Sequence, residues 1–243
     1  VSGLLGIGGA VVLGPLLLYL PGVMGAAAIP VKIMTGLTVV QAISGSIIGS
    51  WRHRAYGNVS TRTVVLMGPP AAVASLAGAL VSRTSSDALL LVIFAAFSFL
   101  TALFVLLPPR TIQARAEHVR VNVPLALALA IGIGFFGGMV GIGAIATILA
   151  VLIYLLRVPP RVAIGTSLGV GMFSAIAALI GKAATAQIDP PLALAVVVSA
   201  LVASPIGARI SIRTRTTVLM RILAVVVILS GLRILWTALF ETV

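Results

Sequence analysis

Six stretches of this chain, at residues 29–50, 63–81, 87–107, 162–182, 192–208 and 218–240, are long and almost uniformly apolar. A run of about 20 such residues is what an α-helix needs to cross a bilayer, and that feature settles the fold class. Lipid offers a backbone N–H or C=O no partner, so only helices and closed barrels span it. Barrel strands alternate in polarity over about 10 residues, whereas the run at 88–107 is apolar on every face. The expected fold is therefore all-α, a polytopic membrane helical bundle. With 60% hydrophobic and 8% charged residues, a soluble domain of this size would lack the polar surface to cover its core. Pro108-Pro109, Pro159-Pro160 and Pro190-Pro191 punctuate the runs, because proline disrupts a helix interior. There is no cysteine, which excludes disulfides, thiolate metal sites and thiol chemistry.

Two segments depart from the pattern. Residues 1–20 contain Gly3, Gly6, Gly8, Gly9 and Gly14, and residues 124–156 contain Gly132, Gly134, Gly137, Gly138, Gly141 and Gly143. The second is too long for one ordinary span. Its centre, GFFGGMVGIG, suits a continuous helix poorly, since each glycine costs about 1 kcal/mol relative to alanine. Two half-helices joined near 137–143 suit it better. The segments also echo each other. Gly6-Ile7-Gly8 matches Gly141-Ile142-Gly143 at an offset of 135, Thr35-Gly36-Leu37 matches Thr166-Ser167-Leu168 at 131, and Gly78-Ala79 with Ser82 matches Gly207-Ala208 with Ser211 at 129. Paired halves of this size are a transporter signature. The chain reads as a first repeat at 1–107, a cytoplasmic linker at 108–123 and a second repeat at 124–243. It opens at Val1, inside the first glycine-rich motif, so part of the first repeat is expected to lie upstream.

The chain carries 16 Lys and Arg against 4 Asp and Glu, a net charge of +12. In a soluble protein such an excess points to nucleic acid. Here the basic residues sit in short connections with no aromatic-rich basic patch, so no nucleic-acid partner is expected. Cytoplasmic loops of membrane proteins collect Lys and Arg. If each glycine-rich segment crosses once, the 16 basic residues divide 8 to 8. If each enters and leaves on the same side, only Lys32, Arg83, Lys182 and Arg233 lie opposite the other 12. The second topology obeys the positive-inside rule. It gives two inverted repeats, each a re-entrant, broken glycine-rich hairpin plus three transmembrane helices. Loops 51–62, 108–123, 157–161 and 209–217 are then cytoplasmic, and the membrane is the cytoplasmic (inner) one.

A hairpin that turns near the bilayer midplane starts its second arm there, at Gly6, Gly8 and Gly9 in the first repeat and at Gly141 and Gly143 in the second. A helix N-terminus exposes unpaired N–H groups and about half a positive charge, and glycine lets a ligand approach it. Two such ends make a cradle for a small oxyanion; the same glycines would equally serve close helix packing. Thr35, Thr166 and Ser167, with Gln41, Ser44 and Ser174 on the same helices, supply side-chain donors or else bond their own preceding turn. Lys32 and Lys182, near the non-cytoplasmic ends, either draw an anion to the mouth as substrate-entry residues or snorkel to the interface. His53 and His118 fall in basic loops, and Trp51 and Tyr56 flank a membrane boundary as interfacial aromatics do. No Asp or Glu lies inside an apolar run, which argues against a proton relay or cation path built on buried carboxylates. There is no Walker motif, zinc motif or Ser-His-Asp arrangement. No catalytic residue, metal or cofactor is expected, and the chain is not read as an enzyme.

The motif GLLGIGGAVVLGPLLL (3–18), its echo GGMVGIGAIATILAVL (137–152) and the Thr-Ser-Leu at 166–168 resemble the TauE/SafE sulfite-exporter family of membrane permeases across essentially the whole chain. The resemblance implies a permease for sulfite, sulfonates such as sulfoacetate, or related small organic anions in the cytoplasmic membrane of a prokaryote, with the glycine motifs lining the substrate site. The second motif departs from the first, with Ala144 where the first has Gly9 and no repeat of Gly14-Pro15, which argues against a strictly symmetric site. The leading expectation is secondary export of a small sulfur-containing oxyanion by alternating access. An anion channel and a non-transporting membrane scaffold or assembly factor are the alternatives. The expected partners are a small anionic substrate and the lipid bilayer; the residues fix no oligomeric state, a homodimer being one option.

Overall fold

The computed structural model describes residues 9–25, 27–107, 121–142, 145–213 and 216–240, and among them the regular structure is entirely helical. In chain order the helices are α1 (Ala10–Val23), α2 (Val31–Ala55), α3 (Thr61–Val81), α4 (Asp87–Leu106), α5 (Val123–Val140), α6 (Ile145–Tyr154), α7 (Pro160–Ala184), α8 (Pro190–Arg213) and α9 (Thr216–Phe240). Helices α2, α3, α4, α5 and α7 are long and apolar enough to cross a membrane. By contrast α6 has 10 residues. At 1.5 Å per residue it covers about 15 Å, half of a bilayer core.

Helix ends are set by local chemistry. Ser86, Asn122 and Asp189 accept the N–H of Leu89, Leu125 and Leu192 through their side-chain oxygens, each satisfying an otherwise orphaned donor. Pro30 and Pro159 precede α2 and α7 in nearly the same extended conformation. At the other end of α2, Gly57 has φ +67, and the Asn58 and Gly57 N–H groups close back on the His53 and Arg54 carbonyls. At the end of α7, Ala186 has φ +55, and the Gln187 and Ala186 N–H groups close on Lys182 and Ala183. These are the same Schellman turn, 129 residues apart, built once on glycine and once on a strained alanine.

Small residues set the packing. Apolar burial drives little helix association in lipid, so close backbone approach and polar contacts carry it. A Cβ on Gly134 or Gly138 of α5 would run into the backbone of Ala71 or Ser75 of α3, and one on Gly78 would run into Phe135. Helix α3 therefore lies parallel and tight against α5. It also runs parallel to α7, where Gly169 meets Val64 and Gly181 meets Ala79. Helices α2 and α7 run antiparallel, since Thr35 meets Lys182 at one end while Gly49 meets Leu168 toward the other. Their contacts come in exchanged pairs. Gly36 abuts the Gln187 carbonyl and Gly165 abuts the Asn58 carbonyl; adding 129 to 36 and to 58 gives 165 and 187. The register relating the two helices is thus 129, which puts Ser167 level with Thr38 rather than with Gly36.

The second glycine-rich segment is interrupted. Helix α5 ends at Val140, Gly141 takes φ +75, and α6 begins at Ile145. The interruption lies near one end of the bundle, not midway as the sequence alone suggests. The Met139 carbonyl meets Lys182, two residues before α7 ends, and Gly141 presses on the Thr35 carbonyl near the start of α2. Gly137 and Gly138 stay helical, and Gly138 lets α5 lie against α3. The chain then turns back: Leu152, Leu156 and Val158, at the end of α6 and beyond it, share an apolar cluster with Ala126 near the start of α5 and Val162 near the start of α7. Helices α1 and α9 are tied by Tyr19, whose hydroxyl lies 3.0 Å from Thr237 Oγ1 and whose ring sits under the Arg233 guanidinium, 5.3 Å from centroid to Cζ.

Two substitutions test this packing. Ala186→Gly is expected to raise stability by about 1 kcal/mol, because alanine is strained in the left-handed region. Gly138→Val is expected to prevent accumulation of folded protein. Thermal unfolding in detergent and membrane expression levels read the two effects; an unchanged melt for the first, or normal folding of the second, would contradict the packing described.

Candidate substrate site and the Lys182 hub

The sequence-derived site residues divide into three groups. Gly6, Gly8 and Gly143 lie outside the described residues, as does His118. Gly9 caps α1, with its carbonyl accepting the Val12 and Leu13 N–H groups at 3.1 and 2.9 Å. Gly141 is not at the start of the second arm but at the end of the first, as the left-handed cap of α5. A side chain there would strike Thr35 and Thr38, so this glycine is needed for close packing. The two second arms, α1 and α6, both begin inside the protein: Ala10, Val11, Ile145 and Ala146 are buried. Ala10, Val11 and Ala146 belong to one apolar cluster. The first described turns of both short helices are thus buried.

Several hydroxyls are fully engaged in structure. Ser44 donates to the Val40 carbonyl at 3.1 Å and Ser167 to the Ile164 carbonyl at 2.9 Å, bonds to their own helix turn. Thr38, the equivalent position in the other repeat, does the same to the Thr35 carbonyl at 2.9 Å. Thr166 accepts the Ser60 N–H at 3.0 Å and so fastens the α2–α3 connection to α7. Two side chains remain available. Gln41 Oε1 and Ser174 Oγ are buried with no hydrogen-bond partner. They sit in the middle turns of α2 and α7, at similar heights in the antiparallel register. The Ser174 backbone carbonyl accepts the Ser75 hydroxyl of α3 at 2.9 Å, while the Ser174 hydroxyl itself is an unused donor. Thr101 Oγ1 of α4 is a further unpartnered buried atom that sequence reasoning missed; a lone threonine in an apolar helix gives no signal.

Lys182 is the main departure from expectation. It neither snorkels nor stands at an open mouth: among the described residues it is the one charged side chain that is buried, with 0% of its surface exposed. Its Nζ donates to Thr35 Oγ1, Ser82 Oγ and the Met139 carbonyl at 2.8 Å each, and lies 2.9 Å from Gln187 Oε1. Those groups come from α2, the end of α3, the end of α5 and the turn after α7. One ammonium therefore joins four parts of the bundle. Lys32, by contrast, is partly exposed and donates to the Arg83 carbonyl at 2.8 Å, tying α2 to the connection after α3. Ser82 was legible from the repeated Gly-Ala-x-x-Ser pattern; Gln187, in a turn, was not. His53 occupies the last turn of α2, not a loop, and its Nδ1 is buried without a partner.

A family model for the sulfite exporter TauE/SafE matches residues 1–234. The chain belongs to the sulfite exporter TauE/SafE family. Two curated relatives are similar along nearly their whole length. One is a probable membrane transporter protein, YunE, of Bacillus subtilis (strain 168), 23% identical, with 99% of this chain and 94% of the relative covered. The other is a probable membrane transporter protein of Xylella fastidiosa (strain Temecula1), 27% identical, with 96% and 89% covered. No solved structure matches. As a member of the TauE/SafE family with several membrane-length helices, the chain is a multi-pass membrane transporter.

The two kinds of hydroxyl predict opposite behaviour. Thr166→Val is expected to cost about 1–3 kcal/mol, because it strands the buried Ser60 N–H. Ser174→Ala is expected to leave stability unchanged or slightly raised, because it removes a polar atom that has no partner. Chemical unfolding of the two purified variants compares them; equal destabilisation would contradict the assignment.

Proposed function

We propose that this TauE/SafE protein is a secondary transporter that moves a small sulfur-containing oxyanion, such as sulfite or an organosulfonate, across the cytoplasmic membrane by alternating access. The observation that carries the reading is the pair of short helices, α1 and α6, whose first described turns are buried and contribute to one apolar cluster. Broken helices that present their N-terminal ends inside the bilayer are how carriers hold anionic groups without a permanent counter-charge. Ser174 adds an unpaired hydroxyl in the middle of the bundle, and Gln41 a side-chain amide; the hydroxyl O–H and the amide N–H, not the amide oxygen, are the donors suited to completing the shell of a tetrahedral or pyramidal oxyanion. The exchanged contacts of α2 and α7, and their opposite directions, support two repeats related by inversion, with α5 and α6 as a re-entrant hairpin. Paired inverted halves favour rocking around a fixed site over an open pore. The excess of Lys and Arg in loops 51–62, 108–123, 157–161 and 209–217 supports placing those loops in the cytoplasm.

Purified protein in liposomes is expected to exchange external labelled sulfite or sulfoacetate for internal unlabelled substrate, with saturation. Ser174→Ala and Gln41→Ala are each expected to raise the half-saturating concentration about tenfold, the equivalent of one lost hydrogen bond of about 1.4 kcal/mol. Flux that rises linearly with concentration and shows no counter-exchange would argue for a channel. Absence of flux for every sulfur oxyanion offered would remove the transport proposal for this substrate class.

A further inference from the structure

The surroundings of Lys182 have the donor and acceptor pattern of a cation site. Three N–H groups meet four oxygens, and all four oxygens are uncharged. The protons of the side-chain ligands are directed elsewhere. The Thr35 hydroxyl donates to the Lys32 carbonyl at 2.8 Å, and the nearest acceptor of the Ser82 hydroxyl is the Ala79 carbonyl at 2.6 Å. The Gln187 amide nitrogen donates to Thr185 Oγ1 at 2.7 Å and to the Ala79 carbonyl at 3.3 Å. Every group in the cage therefore turns a lone pair toward the ammonium. Charge compensation comes from backbone: Ser82 follows the last residue of α3, Met139 lies in the last turn of α5, and Lys182 lies in the last turn of α7. Each helix C-terminus carries about half a negative charge. Neutral oxygens at the C-terminal end of a broken helix form the environment in which carriers coordinate a sodium ion.

We propose that the Lys182 ammonium is a tethered cation filling a latent monovalent-cation site, so that this end of the bundle closes around α5 without an ion drawn from solution. The proposal deepens the transport reading in one respect, since it makes substrate movement independent of Na+; the cage itself does not rest on that reading. The opposite end of the α2–α7 pair differs: the position 129 residues earlier is His53, whose Nδ1 has no partner. The tethered cation belongs to one end alone.

The test compares thermal unfolding of the detergent-solubilised chain in sodium chloride and in choline chloride at equal ionic strength. Wild type is expected to melt at the same temperature in both. Lys182→Ala, which empties the cage, is expected to melt lower in choline and to regain at least about 4 °C in sodium. The double variant Lys182→Ala with Ser82→Val, which removes one oxygen, is expected to lose that response. A Lys182→Ala melt that is identical in the two salts overturns the proposal, as does sodium stabilisation of wild type. If Lys182→Ala does not accumulate, sulfite exchange by wild type in sodium-free choline medium decides: equal exchange with and without Na+ supports the tethered cation, and sodium-dependent exchange overturns it. If wild type moves no anion at all, the transport reading fails while the comparison of wild-type melts still decides whether the cage is filled.

Discussion

A helix that stops inside an apolar bundle leaves its last carbonyls with neither water nor a next turn to bond, and the end of α5 is where this protein meets that constraint. The Met139 carbonyl is answered by the Lys182 ammonium, and the Val140 carbonyl has the Thr38 hydroxyl at 3.4 Å. Gly141 can take the left-handed turn that ends the helix, and having no side chain it lets α2 approach closely enough to supply Thr38. Burying an ammonium carries a large desolvation cost, offset here by three hydrogen bonds and the converging C-termini of α3, α5 and α7. The close packing of α3 on α5 through Gly134, Gly138 and Gly78 follows from the same need, because it brings those C-termini to one level.

Around this junction the two halves share a frame but not a chemistry. The proline before each of α2 and α7, the Schellman turn after each, and the glycine that admits the neighbouring turn all recur at a spacing of 129 residues. The turn on Gly57 directs Asn58 against Gly165, and the turn on Ala186 directs Gln187 against Gly36. Equivalent positions then diverge where function is expected to lie: Lys182 against His53, and Thr35 with its ammonium partner against Ile164. Under the proposed alternating access, a symmetric frame with unlike ends would give the carrier two gates of different strength, one of them held by a fixed charge.

Much of the fold was legible because a membrane helix is specified by length and apolarity alone. Each of the six apolar runs is a helix, and α5 ends at Val140, inside the 137–143 stretch expected to hold the break. The repeat was visible, but its register was not. Thr35-Gly36-Leu37 resembles Thr166-Ser167-Leu168 in letters, whereas the matching backbone contacts pair Gly36 with Gly165. A two-residue slip is invisible to a motif and decisive for packing. For the candidate site, polar residues in apolar helices were legible in the sequence but their partners were not. Thr35, Gln41 and Ser174 are buried polar groups of α2 and α7, whereas Thr166, Ser167 and Ser44 bond to backbone. Lys182 lies two residues from the end of α7, where snorkelling is the default for a lysine. Its burial depends on Gln187 and Met139 reaching it, which no local pattern encodes.

Because the chain has no native cysteine, alternation between the two ends can be read directly with single-cysteine variants and a membrane-impermeant thiol reagent. Thr38 and Ser167 are equivalent, fully buried positions near opposite ends of the α2–α7 pair. Modification of Thr38→Cys and Ser167→Cys, measured with and without sulfite or sulfoacetate, tests the alternating frame most directly. Substrate is expected to raise the reactivity of one position while lowering that of the other. Reactivities that rise together, or stay equally low under every condition, would contradict it.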